Sequence, residues 1–366
     1  MGQRQSPRAV SLQRHAMDWL GARTSSIPGM RAVKRGVQDH AMACGISYWM
    51  SSRASSTEYT MLVYHRVVEQ PDPFYSYATS LNVFEAQLAM LKRFCAVVAL
   101  DEVIERLEAG RPLPKRCVVL TFDDGFRDTY TLAWPLLKRH GLPATLFVAV
   151  QALDEGVLWP DLLRAMIRQT TAQRVVLNTL NDMVVDLADL PQRVAAVSQL
   201  GEHLKAVSNV LKERALDELV AKLLDCSRQE VSVPGLMLSW NEVCILAEEG
   251  MTIGSHSLTH PILSRLSLPE AEHEIRGSRQ RLEEHLSRPV QHFAYPNGQL
   301  ADFSEGIREI VRSAGYHSAC TTVYGMNSRT HDRYMLRRIS GGLMSVRALA
   351  RVMVEATHLN HGNGTT

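Results

Sequence analysis

The sequence predicts an α/β fold in which a mainly parallel sheet closes, or nearly closes, into a barrel. From Tyr59 onward, short apolar runs alternate with amphipathic segments, and this repeated strand-then-helix order is typical of a parallel sheet. Several of the apolar runs end in turn-forming residues, and the carboxyl ends of strands are where such barrels place their functional groups. With 366 residues, of which 45% are hydrophobic, the chain can bury a large core. We therefore expect one large barrel domain with additions.

The first part of the barrel follows from the pattern of apolar residues between Tyr59 and Val150. Gly110 and Gly141 each follow the last apolar position of a helical segment, where glycine commonly ends a helix. The predicted elements of this part are the strand Tyr59–Tyr64, the helix Val83–Phe94, the strand Ala96–Leu100, the helix Glu102–Glu108 capped by Asp101, the helix Asp128–His140 and the strand Ala144–Val150.

Residues 152 to 236 interrupt this order. The stretch Leu190–Leu224 is rich in Ala, Leu and Val and is mostly helical in pattern, so we expect a helical insertion with one short strand at Arg174–Asn178. The barrel is expected to resume with the helix Trp240–Glu249, a helix opened by the capping box of Ser267 and Glu270, the helix Ser304–Ala314 and the strand Tyr316–Thr321.

These elements give three predicted regions. They are an N-terminal extension over residues 1–57 with weakly helical stretches at His15–Ala22 and Met30–Cys44, a barrel domain over 58–345 that contains the insertion, and a C-terminal helix and frayed tail over 346–366.

Two adjacent carboxylates stand at the end of one apolar strand. The run Cys117–Phe122 is followed by Asp123, Asp124 and Gly125. Because adjacent strand residues point to opposite faces of a sheet, the two aspartates are expected to do different jobs. One can bind a metal ion while the other faces a substrate, although Asp-Asp-Gly after a strand is also the pattern of an ordinary turn.

Two histidines four residues apart follow a second apolar run, Met251–Ile253. The residues before His256 can cap a single helical turn and Pro261 limits its extension, so His256 and His260 are expected on one face of that turn. Two imidazoles and one carboxylate make three protein ligands, which leaves a position open for water, as in a catalytic zinc site. Such a pair also arises by accident in a chain with 14 histidines. Its conjunction with the paired aspartates, however, favours a metal-dependent hydrolase.

Three short motifs, in this order, resemble those of the polysaccharide deacetylases, the NodB-homology group of carbohydrate esterases. They are Thr121–Gly125, His256–His260 and Phe293–Gly298, the last of which is similar to the strand-end loop that lines the family's substrate groove. The resemblance extends from about Tyr59 to about Gly342, interrupted by the insertion. It implies a distorted (β/α)7-type barrel and the hydrolytic removal of an N-acetyl group from an amino sugar.

The resemblance also implies roles for individual residues. Asp123 matches the general base, and Asp124, His256 and His260 match the ligands of a divalent metal ion. Zinc is the expected metal, and cobalt, nickel and iron accept the same ligands. The backbone N–H of Asn297 is expected to stabilise the oxyanion, because the proline before it has no such donor.

Four residues are predicted to contact the substrate. Tyr295, Pro296 and Asn297 belong to the third motif, and Trp240 follows the insertion. Aromatic faces at the edge of a groove stack on sugar rings, while core packing is the alternative for Trp240 and for Trp159 at the other end of the insertion. The insertion separates the two metal motifs, so it either covers the groove or only stabilises the fold.

The general acid of the family has no counterpart in the expected place. In the family it is carried by a C-terminal Leu-x-x-His motif, which has no counterpart in the right place in this chain. The strand Tyr59–Tyr64 instead ends in His65, which resembles the Tyr-His strand end of the circularly permuted deacetylases that act on poly-N-acetylglucosamine. His65 is therefore predicted to protonate the leaving amine. A core histidine hydrogen-bonded at a strand end is the alternative.

The arginine that orients the base in the family is also absent, since its position reads His292. Arg338, near the last strand, is predicted to lie beside Asp123 instead and to keep that carboxylate ionised and aligned. The alternative is that Arg337 and Arg338 form a surface basic pair.

Charge is unevenly distributed along the chain. Residues 1–57 carry eight Lys and Arg against two Asp, a net charge of +6, so the total of +2 leaves −4 for the remaining residues. A basic segment is attracted to acidic surfaces, so we expect either peripheral contact with the inner membrane surface or a solvated, partner-docking extension. Nucleic acid is not an expected partner, because basic and aromatic residues do not interleave.

The expected compartment is the cytosol. No apolar core of about 7–15 residues follows the basic start, and no stretch approaches the roughly 20 apolar residues that cross a bilayer. The six cysteines are scattered without close pairs, as reduced thiols are. A nucleotide- or lipid-linked precursor is the substrate that this compartment would offer.

The expected function is thus a metal-dependent N-deacetylase acting on an amino-sugar glycan or glycan precursor. A metal-dependent amidohydrolase of small nitrogenous compounds can share this barrel and these motifs, and a non-catalytic carbohydrate-binding relative is the second rival. The intact set of Asp123, Asp124, His256 and His260 argues against the binding relative, because a binding module has little reason to hold two unpaired carboxylates beside a cation.

Overall fold

The strands of the barrel are short and mostly parallel. The computed structural model describes residues 56–224, 226–231 and 233–353, so the helices predicted before residue 45 and the tail from Leu359 lie outside the described residues. The strands are β1 Glu58–Tyr64, β2 Val67–Val68, β3 Thr79–Ser80, β4 Ala96–Val97, β5 Cys117–Phe122, β6 Thr145–Val148, β7 Arg174–Leu177, β8 Met183–Asp186, β9 Thr252–Ser255, β10 His292–Ala294, β11 Ser318–Cys320, β12 Asn327–Ser328 and β13 Ile339–Ser340.

Seven of the described strands form one continuous parallel sheet, in the order β13, β1, β5, β6, β9, β10 and β11. In addition, β12 pairs with β1 in antiparallel orientation, and β4 pairs with the start of β5. A parallel bridge between Cys320 in β11 and Leu336, just before β13, joins the two edges of the sheet. The sheet therefore curls into a distorted barrel, which confirms the predicted fold class.

Strand β1 lies between β13 and β5 in this sheet although it comes first in the chain. It pairs with β5 along its length, with Tyr59 beside Cys117 and Tyr64 beside Phe122. The two strands thus end together, and His65 and Asp123 leave them at the same edge. This is the arrangement that a permuted barrel requires.

The alternation of strand residues determines which aspartate enters the barrel. All six residues of β5 are buried, and Cys117 and Val119 share a core cluster with Tyr59 and Met61 of β1. Asp123 lies an even number of positions further on and continues the same face. Its side chain therefore points into the barrel, among buried groups.

Helices follow most of the strands of the barrel, and others belong to the insertion. They are α1 Leu81–Phe94, α2 Leu100–Glu108, α3 Trp134–His140, α4 Gln151–Glu155, α5 Trp159–Gln169, α6 Leu190–Ala206, α7 Asn209–Leu224, α8 Trp240–Glu248, α9 Leu268–Leu286 and α10 Glu305–Ser313, and residues 346–353 are also helical. The capping box predicted at the start of α9 is present, since Glu270 accepts hydrogen bonds from the backbone N–H and hydroxyl of Ser267. In the described part of the chain, no helix has the length and apolarity to span a membrane.

One predicted helix start is wrong. Helix α2 begins at Leu100 with Ala99 as its N-cap, and the carboxylate of Asp101, the predicted cap, instead binds Thr252 and His292. Tertiary contacts outweigh the local capping preference at this position. The helix predicted from Asp128 does begin there, and its first part is a π-helical turn, Thr129–Ala133, before α3.

The insertion is a small helical layer with its own core. Helices α5, α6 and α7 contribute most of a buried cluster that includes Trp159, Leu200 and Leu219. The prediction of one short strand is incomplete, because β7 pairs in antiparallel with β8. The segment predicted as one long helical stretch is divided into α6 and α7. The insertion also packs against Phe74 and Tyr75, which belong to the loop after β2.

Candidate active site

The two aspartates leave β5 in different directions, as their alternation predicts. The backbone N–H of Asp123 donates to Tyr64 O at 3.0 Å, which prolongs the pairing of β5 with β1. Asp124 and Gly125 then adopt positive φ angles of 79° and 94° and turn the chain away from the strand. A Cβ at Gly125 would lie 3.3 Å from Val148, so both the backbone and the space favour glycine there.

Asp123 is held inside the barrel by Arg338. The guanidinium donates from Nη1 to Oδ1 and from Nη2 to Oδ2, both at 2.7 Å, and from Nε to Thr321 O at 2.7 Å. Burial raises the pKa of Asp123, but the charge of Arg338 outweighs this effect and keeps the pKa below its usual value. The structure thus brings together the two residues that the sequence paired, and Asp123 is ionised.

The metal histidines lie on a loop, so the predicted single helical turn is wrong. Ser257 and His260 have positive φ angles of 67° and 58°, which a right-handed helical turn does not contain. The hydroxyl of Ser257 accepts a hydrogen bond from the backbone N–H of His260 at 3.1 Å. This tight loop, rather than helical periodicity, places His256 and His260 side by side.

Asp124, His256 and His260 form a triangle of donor atoms. The two Nε2 atoms are 3.2 Å apart, and Asp124 Oδ1 lies 3.5 Å from Nε2 of His256 and 3.3 Å from Nε2 of His260. Ligands about 2.1 Å from a tetrahedral zinc ion are separated by about 3.3–3.5 Å. The three residues therefore fit a divalent metal ion in both donor chemistry and spacing.

His256 has the protonation state that a metal ligand needs. Its Nδ1 lies 2.7 Å from Ala294 O, so the proton is held on that nitrogen and the lone pair of Nε2 faces the triangle. Burial lowers the pKa of His256 to about 4, so the ring is neutral near pH 7.

The loop that carries the two histidines is held in place by hydrogen bonds to Glu274 of α9. Its Oε2 accepts from the backbone N–H groups of Leu258 and Thr259, each at 2.9 Å, and its Oε1 accepts from Thr259 Oγ1 at 2.7 Å. Trp159 of the insertion donates from Nε1 to His260 O at 3.1 Å. A helix of the barrel and a helix of the insertion thus fix one loop together.

A cavity of about 490 Å³ lies over these groups, at the carboxyl ends of the strands. Asp123, Asp124, His256 and His260 line it, and so does His65, whose ring packs edge-on against Tyr77 with centroids 5.6 Å apart. The structure therefore brings His65 to the same cavity as the base and the metal ligands. Its role as a proton donor stays a prediction.

The third motif contributes less to this cavity than predicted. Asn297, with a φ angle of 58°, lies in its wall. Tyr295 is fully buried, stacks on Phe303 and donates its hydroxyl proton to Tyr334 O, so its side chain supports the loop and does not face a substrate. Pro296 is buried and is not one of the lining residues.

The prediction for Trp240 also needs correction. Its ring stacks on His285 at 3.6 Å between centroids, and its Nε1 donates to Asp154 Oδ1 at 2.8 Å. Trp240 is not one of the residues that line the cavity over the metal ligands. Trp240 is the first residue of α8 and instead connects this helix to α9 and α4, on which its two partners lie.

Several residues of the insertion line the cavity although they belong to none of the three motifs. Asp161 and Arg164 of α5 form an ion pair at 3.1 Å, and burial raises the pKa of Asp161 to about 6. The sequence does contain one indication of this pair. Asp161 stands within the apolar run from Leu158 to Leu163, and an acid on a buried helix face needs a partner. Helix α6 contributes a further wall.

Known proteins share both the motifs and the fold. Residues 110–173 and 168–319 match the family model of polysaccharide deacetylase, and together they cover more than half of the chain. The putative polysaccharide deacetylase YxkH of Bacillus subtilis (strain 168) is 20% identical over 311 residues, which are 84% of this chain and 79% of that protein. The poly-beta-1,6-N-acetyl-D-glucosamine N-deacetylase of Staphylococcus aureus (strain MSSA476) is 36% identical over 81 residues, but these are only 22% of this chain and 28% of that enzyme.

Two solved structures have the same architecture. The Streptococcus pyogenes deacetylase PplD, in complex with acetate, gives a TM-score of 0.56 at 19% identity and covers 82% of this chain and 99% of its own. IcaB from Ammonifex degensii gives 0.54 at 19% identity and covers 82% and 98%. At these identities the likeness shows the fold. Together with the family model, it shows that this chain belongs to the polysaccharide deacetylase family and is a deacetylase hydrolase.

Proposed function

We propose that this deacetylase removes N-acetyl groups from amino-sugar residues of an N-acetylglucosamine-containing glycan or glycan precursor, with a divalent metal ion held by Asp124, His256 and His260. The observation that carries the proposal is the triangle of donor atoms beside Asp123, an ionised carboxylate that is outside the triangle. The substrate class is supported by the staphylococcal relative, whose name gives poly-N-acetylglucosamine as its substrate. Zinc is the proposed metal because two imidazoles and one carboxylate are a common ligand set of catalytic zinc.

Each residue then has a defined task in hydrolysis of the amide. A divalent ion at the triangle would polarise the acetyl carbonyl and make water more acidic. Asp123 accepts a proton from the attacking water, and Arg338 holds its two oxygens in place during the transfer. The backbone N–H of Asn297 is assigned to the oxyanion, and His65 gives a proton to the nitrogen as the carbon–nitrogen bond breaks. The products are acetate and a free amine.

Acetate release tests the proposal directly. We expect the zinc-loaded full chain to release acetate from N-acetylglucosamine oligomers, and Asp123→Asn to lose turnover by roughly 10²–10⁴-fold while it retains its metal. Asp186→Asn, which changes an exposed carboxylate of β8, is the matched control and should keep full activity. Metal content is measured in all three proteins.

The rival functions give different results in the same assay. Hydrolysis of small cyclic amides without acetate release from sugars would identify an amidohydrolase. Sugar binding without bound metal or turnover would identify a binding relative. Unchanged turnover in Asp123→Asn would remove Asp123 as the base even if the deacetylase activity is found.

A further inference from the structure

Helix α6 of the insertion presents one continuous face to the cavity. Residues Val194, Val197, Ser198, Gly201, Glu202 and Lys205 all line it. Their spacing of three and four positions is that of a single helix face. The insertion therefore contributes a wall to the cavity that also contains Asp123 and the metal ligands.

Gly201 stands near the middle of this face, and the fold does not explain it. Glycine is among the least favourable residues inside a helix, and it is usually needed for a positive φ or a close approach. The backbone at Gly201 is helical within α6, without a positive φ. A Cβ built on it would meet no atom within 4 Å. Neither backbone geometry nor packing therefore requires glycine there. The missing side chain leaves open space on the side of the helix that faces the cavity.

The surroundings of this space suit a sugar residue. Val194 and Val197 are apolar, while Ser198, Glu202 and Lys205 provide hydroxyl, carboxylate and ammonium groups. Sugar rings combine C–H faces that pack on apolar side chains with hydroxyl groups that hydrogen-bond to polar ones. The charges of Glu202 and Lys205 cancel in an ion pair at 3.0 Å, so this wall favours a neutral ligand over a phosphate.

We propose that the face of α6 centred on Gly201 is a subsite for a second sugar residue, joined to the residue that loses its acetyl group. The inference rests on the proposed function and makes it more specific, because it assigns an oligosaccharide or glycan end as the substrate. A lone amino sugar would leave this subsite empty.

Filling the space at Gly201 tests the subsite. Zinc-loaded full chains of wild type, Gly201→Trp, Gly201→Ala and Gln199→Trp are compared on β-1,6-linked N-acetylglucosamine oligomers of two to five units and on a small aryl acetate ester. Gln199 is exposed and does not line the cavity, so Gln199→Trp is the control for adding an indole to the same helix. The ester needs only the metal centre, so it reports whether that centre is intact.

We expect Gly201→Trp to lower kcat/KM on the oligomers by roughly tenfold or more. Its ester hydrolysis, zinc content and Tm should stay close to those of wild type. Gly201→Ala should raise the Tm, because alanine favours the helix, and should lower kcat/KM on the oligomers less than Gly201→Trp does, because a methyl group fills less of the space. Gln199→Trp should match wild type on every substrate.

Three results would contradict the subsite, and they show whether the proposed function fails with it. If wild type hydrolyses the oligomers and Gly201→Trp does so equally well, the subsite is refuted while the proposed function stands. Equal losses in Gly201→Trp and Gln199→Trp would also refute it. If wild type hydrolyses the ester but releases no acetate from any oligomer, the proposed function fails and the subsite with it.

Discussion

Arg338 and Asp123 form a buried, bidentate ion pair. Arg338 directly precedes the last strand of the barrel, and Asp123 directly follows β5. Both N–O distances are 2.7 Å, and each residue is only 1% exposed. Because both charges are out of water, each depends on the other for its solvation. The pair therefore links the stability of the barrel to the ionised state of the predicted base.

Arg338→Met should destabilise the protein strongly. Removing one partner of a buried pair leaves an uncompensated charge, which costs about 3–5 kcal/mol in the free energy of unfolding. Asp123→Asn in the same chain should restore part of the loss, because the remaining buried group is then neutral. Urea denaturation of the single and double variants measures both effects.

Arg333→Met is the control for this prediction. Arg333 pairs with Glu108 in an exposed position, so its loss should cost no more than about 1 kcal/mol. Equal costs for Arg333→Met and Arg338→Met would show that the buried pair contributes no special stability.

The sequence was sufficient to locate the chemistry along the barrel. Alternation along β5 separated the roles of Asp123 and Asp124, because neighbouring strand residues face opposite sides. His65 was expected near the base because its strand end resembles that of the permuted deacetylases, and Arg338 because the last strand could bring it beside Asp123. Alternation thus separated the two aspartates, whereas the family resemblance was needed to predict the positions of His65 and Arg338.

The remaining features depend on contacts that no local pattern reveals. The i, i+4 spacing of His256 and His260 suits a helical turn, but the chain forms a loop with two left-handed residues. Trp240 and Tyr295 are aromatic residues of the kind that bind sugars, yet neighbouring elements bury or occupy their rings. The wall formed by α6 follows from how the insertion packs, which the sequence of the helix alone does not determine.

Replacing Asp124, His256 or His260 should abolish tight metal binding. Each change removes one of the protein ligands. Changes to residues that only hold a ligand in position already weaken metal affinity by about 10–100-fold, so we expect a larger loss here. Equilibrium dialysis against zinc measures it. His285→Ala, which changes a histidine stacked on Trp240, should bind zinc as wild type does.

Thermal unfolding gives a second measure of the same site. Zinc at about 100 times its Kd should stabilise wild type by about 2.7 kcal/mol and thus raise its Tm, and a chelator should reverse the effect. If the variants at Asp124, His256 and His260 keep the full zinc-dependent rise in Tm, the ion is held elsewhere.

Glu274 should be necessary for metal affinity without touching the metal. It accepts three hydrogen bonds from Leu258 and Thr259, and these fix the loop that carries the metal histidines. Glu274→Ala should raise the Kd for zinc by about 10–100-fold. Glu274→Gln should be much milder, because an amide oxygen can still accept from the two backbone N–H groups.

Glu272→Ala is the matched control, since Glu272 lies on the same helix and pairs with exposed Arg276. It should leave zinc affinity unchanged in the same dialysis experiment. Wild-type affinity in Glu274→Ala would mean that the loop keeps its shape without this carboxylate.

The stability of the insertion should depend on pH through Glu218 of α7. Burial raises the pKa of Glu218, but hydrogen bonds from Lys222 and Thr179 outweigh it and lower the pKa to about 2, below the ordinary value of 4.5. A depressed carboxyl pKa stabilises the folded state above pH 4.5, and this contribution is lost as pH falls toward 2. Glu218→Gln should therefore cost on the order of 1–3 kcal/mol at pH 7 and progressively less below pH 4.5. Urea denaturation of metal-free protein at several pH values measures the difference, and a difference that stays constant down to pH 3 would contradict the assignment.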